Sequence, residues 1–314
     1  MSGIEPVIGD ALVDERFVEE GLVVVGVDGS ATSRAALVWA AKEAARRRAE
    51  LDVVCAWLPE PTVSPAGVPG PPDDLRPFEA AARQLLDDAV AWLPGDLLDA
   101  VPGLHCVPVE ARAAAAVVSA SIGADLLVVG SRGRGPVTGL LGSVSHQAAH
   151  HAACPVAVVP PGWPDDRPVE RIVVGVDGST TSTDALWWAL EEAARWDARL
   201  SIVHGWHTPF PVEPYGVVVT PRDQERYTRG AHRLIEAMLE AADRAGVAMP
   251  RAVEQVVADD AAGPALVKAA VEHDVLVVGS RGRGGFAALL LGSVALQCLH
   301  HAPCPVVVVK HRPH

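Results

Sequence analysis

Gly279 to Ser293, GSRGRGGFAALLLGS, combines two features that hold an anion, a backbone able to approach closely and positive charge. Gly279, Gly282, Gly284 and Gly285 permit angles and approaches that a side chain would block. Arg281 and Arg283 place charge in the same stretch. The apolar run before it, Val275 to Val278, reads as a buried parallel strand because it is continuous rather than alternating. After it, Gly292-Ser293-Val294 opens a short apolar segment ending at His300-His301. Strand, glycine-rich loop, helix start is the order in which open α/β sheets hold phosphate, with N–H groups and the helix N-terminus turned toward the anion. Taken alone, such a loop is equally an ordinary strand-to-helix connection.

The stretch is not alone. Gly130 to Ser143 reads GSRGRGPVTGLLGS. Val27-Asp28-Gly29-Ser30 recurs as Val176-Asp177-Gly178-Ser179, Trp39 as Trp188 and Trp57 as Trp206, all at an offset of 149. Gly142 then pairs with Gly292, His150-His151 with His300-His301, and Cys154-Pro155 with Cys304-Pro305, now at 150. The chain is a tandem duplication, and a period this long means two whole domains rather than a solenoid. The one-residue change falls inside the glycine loop. Eight residues stand between Gly133 and Gly142, and nine between Gly282 and Gly292.

The elements that position these groups follow from the apolar pattern. In the first copy, strands at Leu22–Val27, Leu51–Trp57, Leu104–Val109, Asp125–Val129 and Val156–Val159 alternate with helical segments. Pro59 to Pro77 holds seven prolines and reads as a loop, too proline-rich for strand or helix. In the second copy, strands fall near 171–176, 199–204, 252–257, 274–278 and 305–309, and helices near 181–195, 222–245, 262–272 and 292–301. The alternation argues for a parallel sheet covered by helices on both faces, with ligands beyond the carboxyl ends of strands. Asp28, Asp177 and both glycine loops lie at such ends. The expected organisation is a tail over 1–20, a domain over 21–160, a linker over 161–169 and a second domain over 170–310.

The 314 residues accommodate two domains of ordinary size. Apolar content of 49% with only 4% aromatics means cores built mainly from Val, Leu and Ala. A formal charge of −13 argues against a nucleic-acid partner but leaves room for one phosphorylated ligand at a local positive site. Five cysteines without dense spacing are not a secreted disulfide framework. The acidic N-terminus lacks the plan of a signal peptide, and no apolar run approaches the roughly 18 residues of a membrane span. The reading is a soluble, cytoplasmic protein with no nucleic-acid or membrane partner.

These residues resemble the universal stress protein family. The resemblance covers nearly all of both copies: Val-Asp-Gly-Ser after the first strand, the glycine loop, then His-His-Ala-x-Cys-Pro-Val before the fifth strand. The nucleotide-binding version of the family carries Gly-x2-Gly-x9-Gly-Ser/Thr, which Gly279, Gly282, Gly292 and Ser293 match in context. The resemblance implies ATP, with magnesium an optional companion, at the carboxyl edge of a five-stranded parallel sheet of order 3-2-1-4-5. It would put Asp177 at the nucleoside end, where a carboxylate suits a ribose hydroxyl because it only accepts hydrogen bonds. Val176 and Gly205 would wall the adenine, and Val278 with Gly279 would pass beneath the ribose. Gly282, Gly292 and Ser293 would hold the phosphates with charge from Arg281 or Arg283, and Gly178, Ser179 and Val294 complete the set. The first-copy set is Val27, Asp28, Gly29, Ser30, Ala56, Val129, Gly130, Arg132, Gly133, Gly142, Ser143 and Val144.

The first copy departs from that pattern. One missing residue shortens the reach by up to about 3.5 Å, and Pro136 removes a donor. The expectation is a second pocket that binds ATP and a first that binds it more weakly or alongside. Because fifth-strand edges in this family commonly dimerise, the two copies are expected to pair within the chain. A homodimer of the whole chain and an unnamed protein partner stay open.

The implied function is a nucleotide-dependent stress or growth regulator that binds ATP rather than efficiently hydrolysing it. Beside it stand a slow ATPase or nucleotide-transferring enzyme using the same pocket, and a scaffold with vestigial pockets. No Gly-x4-Gly-Lys-Ser/Thr loop is present. His146, His150, His151 and Cys154 suggest a metal cluster, but adjacent histidines on a helix point in different directions. A helix C-terminus with histidines near its carbonyls is the preferred reading.

Overall fold

The computed structural model describes residues 21–59, 62–63, 69–70, 74–133, 141–206, 221–283 and 291–311. In the first half the order is β1 (Leu22–Gly26), α1 (Ala31–Arg47), β2 (Glu50–Trp57), β3 (Thr62–Val63), β4 (Pro69–Gly70), α2 (Arg76–Val90), α3 (Gly95–Ala100), β5 (Leu104–Glu110), α4 (Ala113–Ala120), β6 (Leu126–Gly130), α5 (Ser143–His151) and β7 (Val156–Val159). The second half runs β8 (Arg171–Gly175), α6 (Thr180–Arg195), β9 (Arg199–Trp206), α7 (Pro221–Arg244), β10 (Ala252–Asp259), α8 (Ala262–Ala270), β11 (Val275–Gly279), α9 (Ser293–His301) and β12 (Val306–Val309).

Each half forms a parallel sheet whose strands run third, second, first, fourth, fifth. The two are joined into one ten-stranded sheet, β10-β9-β8-β11-β12-β7-β6-β1-β2-β5. The join is the antiparallel pairing of β12 with β7, in which Val306 faces Val158, Val307 faces Ala157 and Val308 faces Val156. Both strands are fully buried valine-rich runs, so the pairing covers two edges that would otherwise expose N–H and C=O groups. The connections between parallel strands carry helices that pack on the sheet, and α4 packs on α5 and α8 on α9. Alanines at the buried positions of α1, among them Ala36, Ala40, Ala41 and Ala44, let that helix lie close to the sheet.

The proline-rich stretch is not wholly loop. Thr62–Val63 pairs with Pro69–Gly70 in a two-residue antiparallel ladder. α2 begins at Arg76 with Pro77 in its first turn, where the missing N–H would have no intrahelical partner anyway. No helix of the described residues is long and apolar enough to cross a membrane.

Where the halves meet, α1 and α6 bring Glu43 and its counterpart Glu192 together, 1% and 2% exposed. Arg47 lies between them, its Nε 3.1 Å from Glu43 Oε2 and its Nη2 against Glu192 Oε1. Trp196 Nε1 donates to Glu43 Oε1 at 2.7 Å, and Arg195 reaches Glu192 from the more exposed side. The network is one-sided, since the second-half residue matching Arg47 is Trp196. Burial, then the neighbouring Glu192 charge, push the Glu43 carboxyl up to about 8 against the pull of Arg47. The folded pair therefore keeps a proton that the unfolded chain releases above its ordinary value of 4.5. The stability this contributes is complete below that value and is lost as pH rises toward about 8. Glu43→Gln, which keeps an acceptor for Trp196, is expected to gain about 1–3 kcal/mol relative to the parent chain between about pH 5 and 8. Urea unfolding of both proteins across that range checks this; parallel pH profiles would refute it.

Candidate functional site

Each half has a cavity at the carboxyl ends of its first and fourth strands, of about 510 Å3 in the first and about 450 Å3 in the second. The floor is apolar. Val54 and Val117 line the first cavity, and Val203 and Leu266 the second. Asp28 or Asp177, the glycine loop and the start of α5 or α9 complete each lining.

The helix starts explain why the loop end suits an anion. Most helices fill their first-turn amides with a capping side chain. α1 and α6 do so, with Ser30 accepting from Ser33 N and Ser179 from Ser182 N. α5 and α9 are capped instead by Gly142 and Gly292, which have no side chain to offer. Their first turns, Ser143 to Ser145 and Ser293 to Ala295, line the cavities. The amides at such a helix start carry the positive end of the helix dipole. Arg132 adds charge on the first side, and Arg281 with Arg283 on the second.

The loop glycines are fixed by close approach. A Cβ on Gly133 would stand 2.8 Å from Asp28 Oδ2, and one on Gly282 2.6 Å from Asp177 Oδ2. The loop thus lies directly on the carboxylate. Asp177 holds it there, Oδ2 accepting from Arg283 N at 2.8 Å and Oδ1 from Ser179 N at 2.9 Å. Asp28 Oδ1 likewise accepts from Ser30 N at 2.9 Å. Burial raises the Asp177 carboxyl, but hydrogen bonds from Ser179, Arg283 and Ser182 outweigh it and leave the group below the usual carboxylate range. It is a fixed anion in the cavity lining. Thr32 and Thr181 hydroxyls bind the Arg132 and Arg281 carbonyls, locking each loop to the helix beside it.

The cavities gather Val27, Asp28, Ala56, Val129, Gly130, Arg132, Gly133, Gly142, Ser143 and Val144, and in the second half Val176, Asp177, Gly205, Val278, Gly279, Arg281, Gly282, Gly292, Ser293 and Val294. Gly29, Ser30, Gly178 and Ser179 are not in the linings. The glycines make the turn, at φ 77° and 79°, and the serines cap the next helix. Val117 and Leu266, which lie over Gly26 and Gly175, were not singled out by the sequence. They sit mid-helix among other apolar residues, and only their strand-end neighbours mark them.

The missing residue does not displace the first site. Gly142 N bonds Ser131 O at 2.8 Å, as Gly292 N bonds Ser280 O at 2.7 Å. Both loops leave and return through equivalent points, although eight residues stand between Gly133 and Gly142 and nine between Gly282 and Gly292. Pro136 lies in the first of these stretches, outside the described residues. At these anchor points the shorter first loop does not pull its helix start out of place, so a weaker first pocket is not expected from reach. Among the described residues no group of three or more His, Cys, Asp or Glu is placed to hold a metal ion.

Fold and site together define a doubly wound α/β protein duplicated in tandem, with a cavity beside a glycine loop at the strand ends of each half. The chain belongs to the universal stress protein family, whose profile matches residues 22–160 and again 168–310. It is similar to "Universal stress protein Rv2005c" of Mycobacterium tuberculosis (strain ATCC 25618 / H37Rv), 36% identical over 301 residues covering 92% of this chain and 96% of that protein. "Universal stress protein Rv2623" of the same strain is 35% identical over 299 residues, with 92% and 96% covered. The crystal structure of a universal stress protein from Archaeoglobus fulgidus DSM 4304 covers 93% of this chain and 99% of its own, with a TM-score of 0.59 and 19% identity. At that identity the likeness speaks for the fold alone.

Proposed function

We infer that this chain is a nucleotide-dependent regulator of the cytoplasm, with domains over 21–160 and 170–310 that each bind ATP and hold it rather than turn it over efficiently. The observation that carries the reading is the glycine-capped helix start, which leaves first-turn amides on a cavity that also holds an anchored aspartate and an apolar floor. Those three parts match the three parts of a nucleotide. The apolar floor at Val117 or Leu266 suits a base. Asp28 or Asp177 can only accept, which suits ribose hydroxyls. The amides of Ser143–Ser145 or Ser293–Ala295, with the neighbouring arginines, suit phosphates. Magnesium would enter with the phosphates, since both Asp177 oxygens already accept main-chain amides.

The test is to denature freshly purified protein and quantify nucleotide released per chain. About two ATP per chain are expected, and about one after Asp177→Ala. That variant removes a ribose acceptor and the anchor of the loop, so affinity in its pocket should fall at least about tenfold. Nothing released, and no binding when ATP is added back, would refute the reading.

A further inference from the structure

The two halves are unequal at their seam. Just beyond β12, Lys310 crosses to the first half and its Nζ donates to the Ala152 carbonyl at 2.6 Å. Ala152 is the C-cap of α5, the helix whose first turn lines the first cavity. At the matching place after β7 the residue is Pro160, which has no amine to offer Ala302, the C-cap of α9. On that side a cavity of about 310 Å3 stands between Arg132, Pro160 and Pro161 of the first half and Leu299, His300 and Ala302 of the second.

We propose that Lys310 is a positioning residue through which the second domain sets the first nucleotide pocket, a lysine bond that the second pocket lacks. α5 has nine residues, too few to be a stable helix by its own hydrogen bonds. Its N-terminal cap contributes no side-chain bond. A cation bonded to the carbonyl at the other end acts on the exposed C-terminal carbonyls and on the helix dipole. Fixing that end fixes the line along which the Ser143–Ser145 amides face the ligand. α9 has the same length and the same glycine cap but Pro160 in place of the lysine, so among the described residues its C-terminal carbonyl has no such cation from the other half. The role rests on the nucleotide reading of the pockets.

The test compares Lys310→Met and Lys310→Arg in the full chain, measuring ATP affinity of each pocket by itself. Asp177→Ala isolates the first and Asp28→Ala the second. Lys310→Met is expected to weaken the first pocket about two- to fivefold, the range of a helix-terminus charge. Lys310→Arg should restore it, and the second pocket should not change in either. An unchanged first pocket, or equal weakening of both, overturns the proposal while leaving ATP binding intact. Amide exchange is read in the same proteins without nucleotide. Faster exchange over 143–151 in Lys310→Met, with 293–301 unchanged, supports the link, and unchanged exchange overturns it. A parent chain that binds no ATP would refute the function reading instead, and the exchange result would still judge the link.

Discussion

Arg47→Leu is expected to cost about 3–5 kcal/mol of stability at neutral pH, the usual penalty for breaking a buried ion pair from one side. The guanidinium lies between Glu43 and Glu192, with side chains 11%, 2% and 2% exposed. Leucine fills much of the volume but leaves the charge that the Glu43–Glu192 pair still carries in a dry seam with no cation between the two groups. Arg195 still reaches Glu192, and Trp196 Nε1 still donates to Glu43. Neither replaces a cation that touches both. Urea unfolding measures the loss, and Glu192→Gln in the same chain should recover most of it, because the charge left on the pair is then removed. A loss below about 1 kcal/mol would mean that the shared proton alone lets the pair stay buried, contrary to the role given to Arg47.

Gly279→Val is expected to act on both stability and function. A Cβ there would stand 2.8 Å from the Thr181 carbonyl carbon and oxygen, backbone atoms at the start of α6 that cannot rotate away. Either β11 or α6 must shift, at about 1–3 kcal/mol or more for forced overpacking. The shift falls where Thr181 locks the loop through the Arg281 carbonyl. Nucleotide should be lost from the second pocket and kept in the first. The mirror change, Gly130→Val, meets Thr32 at 2.9 Å and should empty the first pocket. Melting curves together with released nucleotide per chain decide it. Full occupancy at a normal melting temperature would show that the close approach is not required.

Much of this was legible in the chain because its signals are local. Runs such as Val275 to Val278 could only be buried parallel strands, and the duplicated glycine loops marked where those strands end. The pairing of β7 with β12 agrees with the pull of two apolar edges. What stayed hidden depends on contacts between distant segments. Glu43 and Arg47 look in sequence like charges on the outer side of an amphipathic helix, and only the packing of α6 against α1 buries them. α3 has six residues, too few for a period to declare itself. Gly29 and Ser30 belonged to a repeated motif at the site, yet the motif is repeated there partly because a turn and a cap are needed to start α1. The one-residue difference between the loops was readable, but not that both loops return to the same carbonyl.

The joining of β7 to β12 within one chain has a consequence for how the halves could change. Two separate copies meeting through the same strands would part on dilution, whereas here a short tether holds the strands at an effective concentration on the order of millimolar. A symmetric pair must also present every substitution twice across its axis, so that an arginine meets a second arginine. A tethered pair escapes that constraint. Arg47 can stand where its counterpart is Trp196, and Lys310 where its counterpart is Pro160, each on one side only. Duplication followed by fusion turns a mirror into two different surfaces, which can take up unequal duties while remaining parts of one sheet.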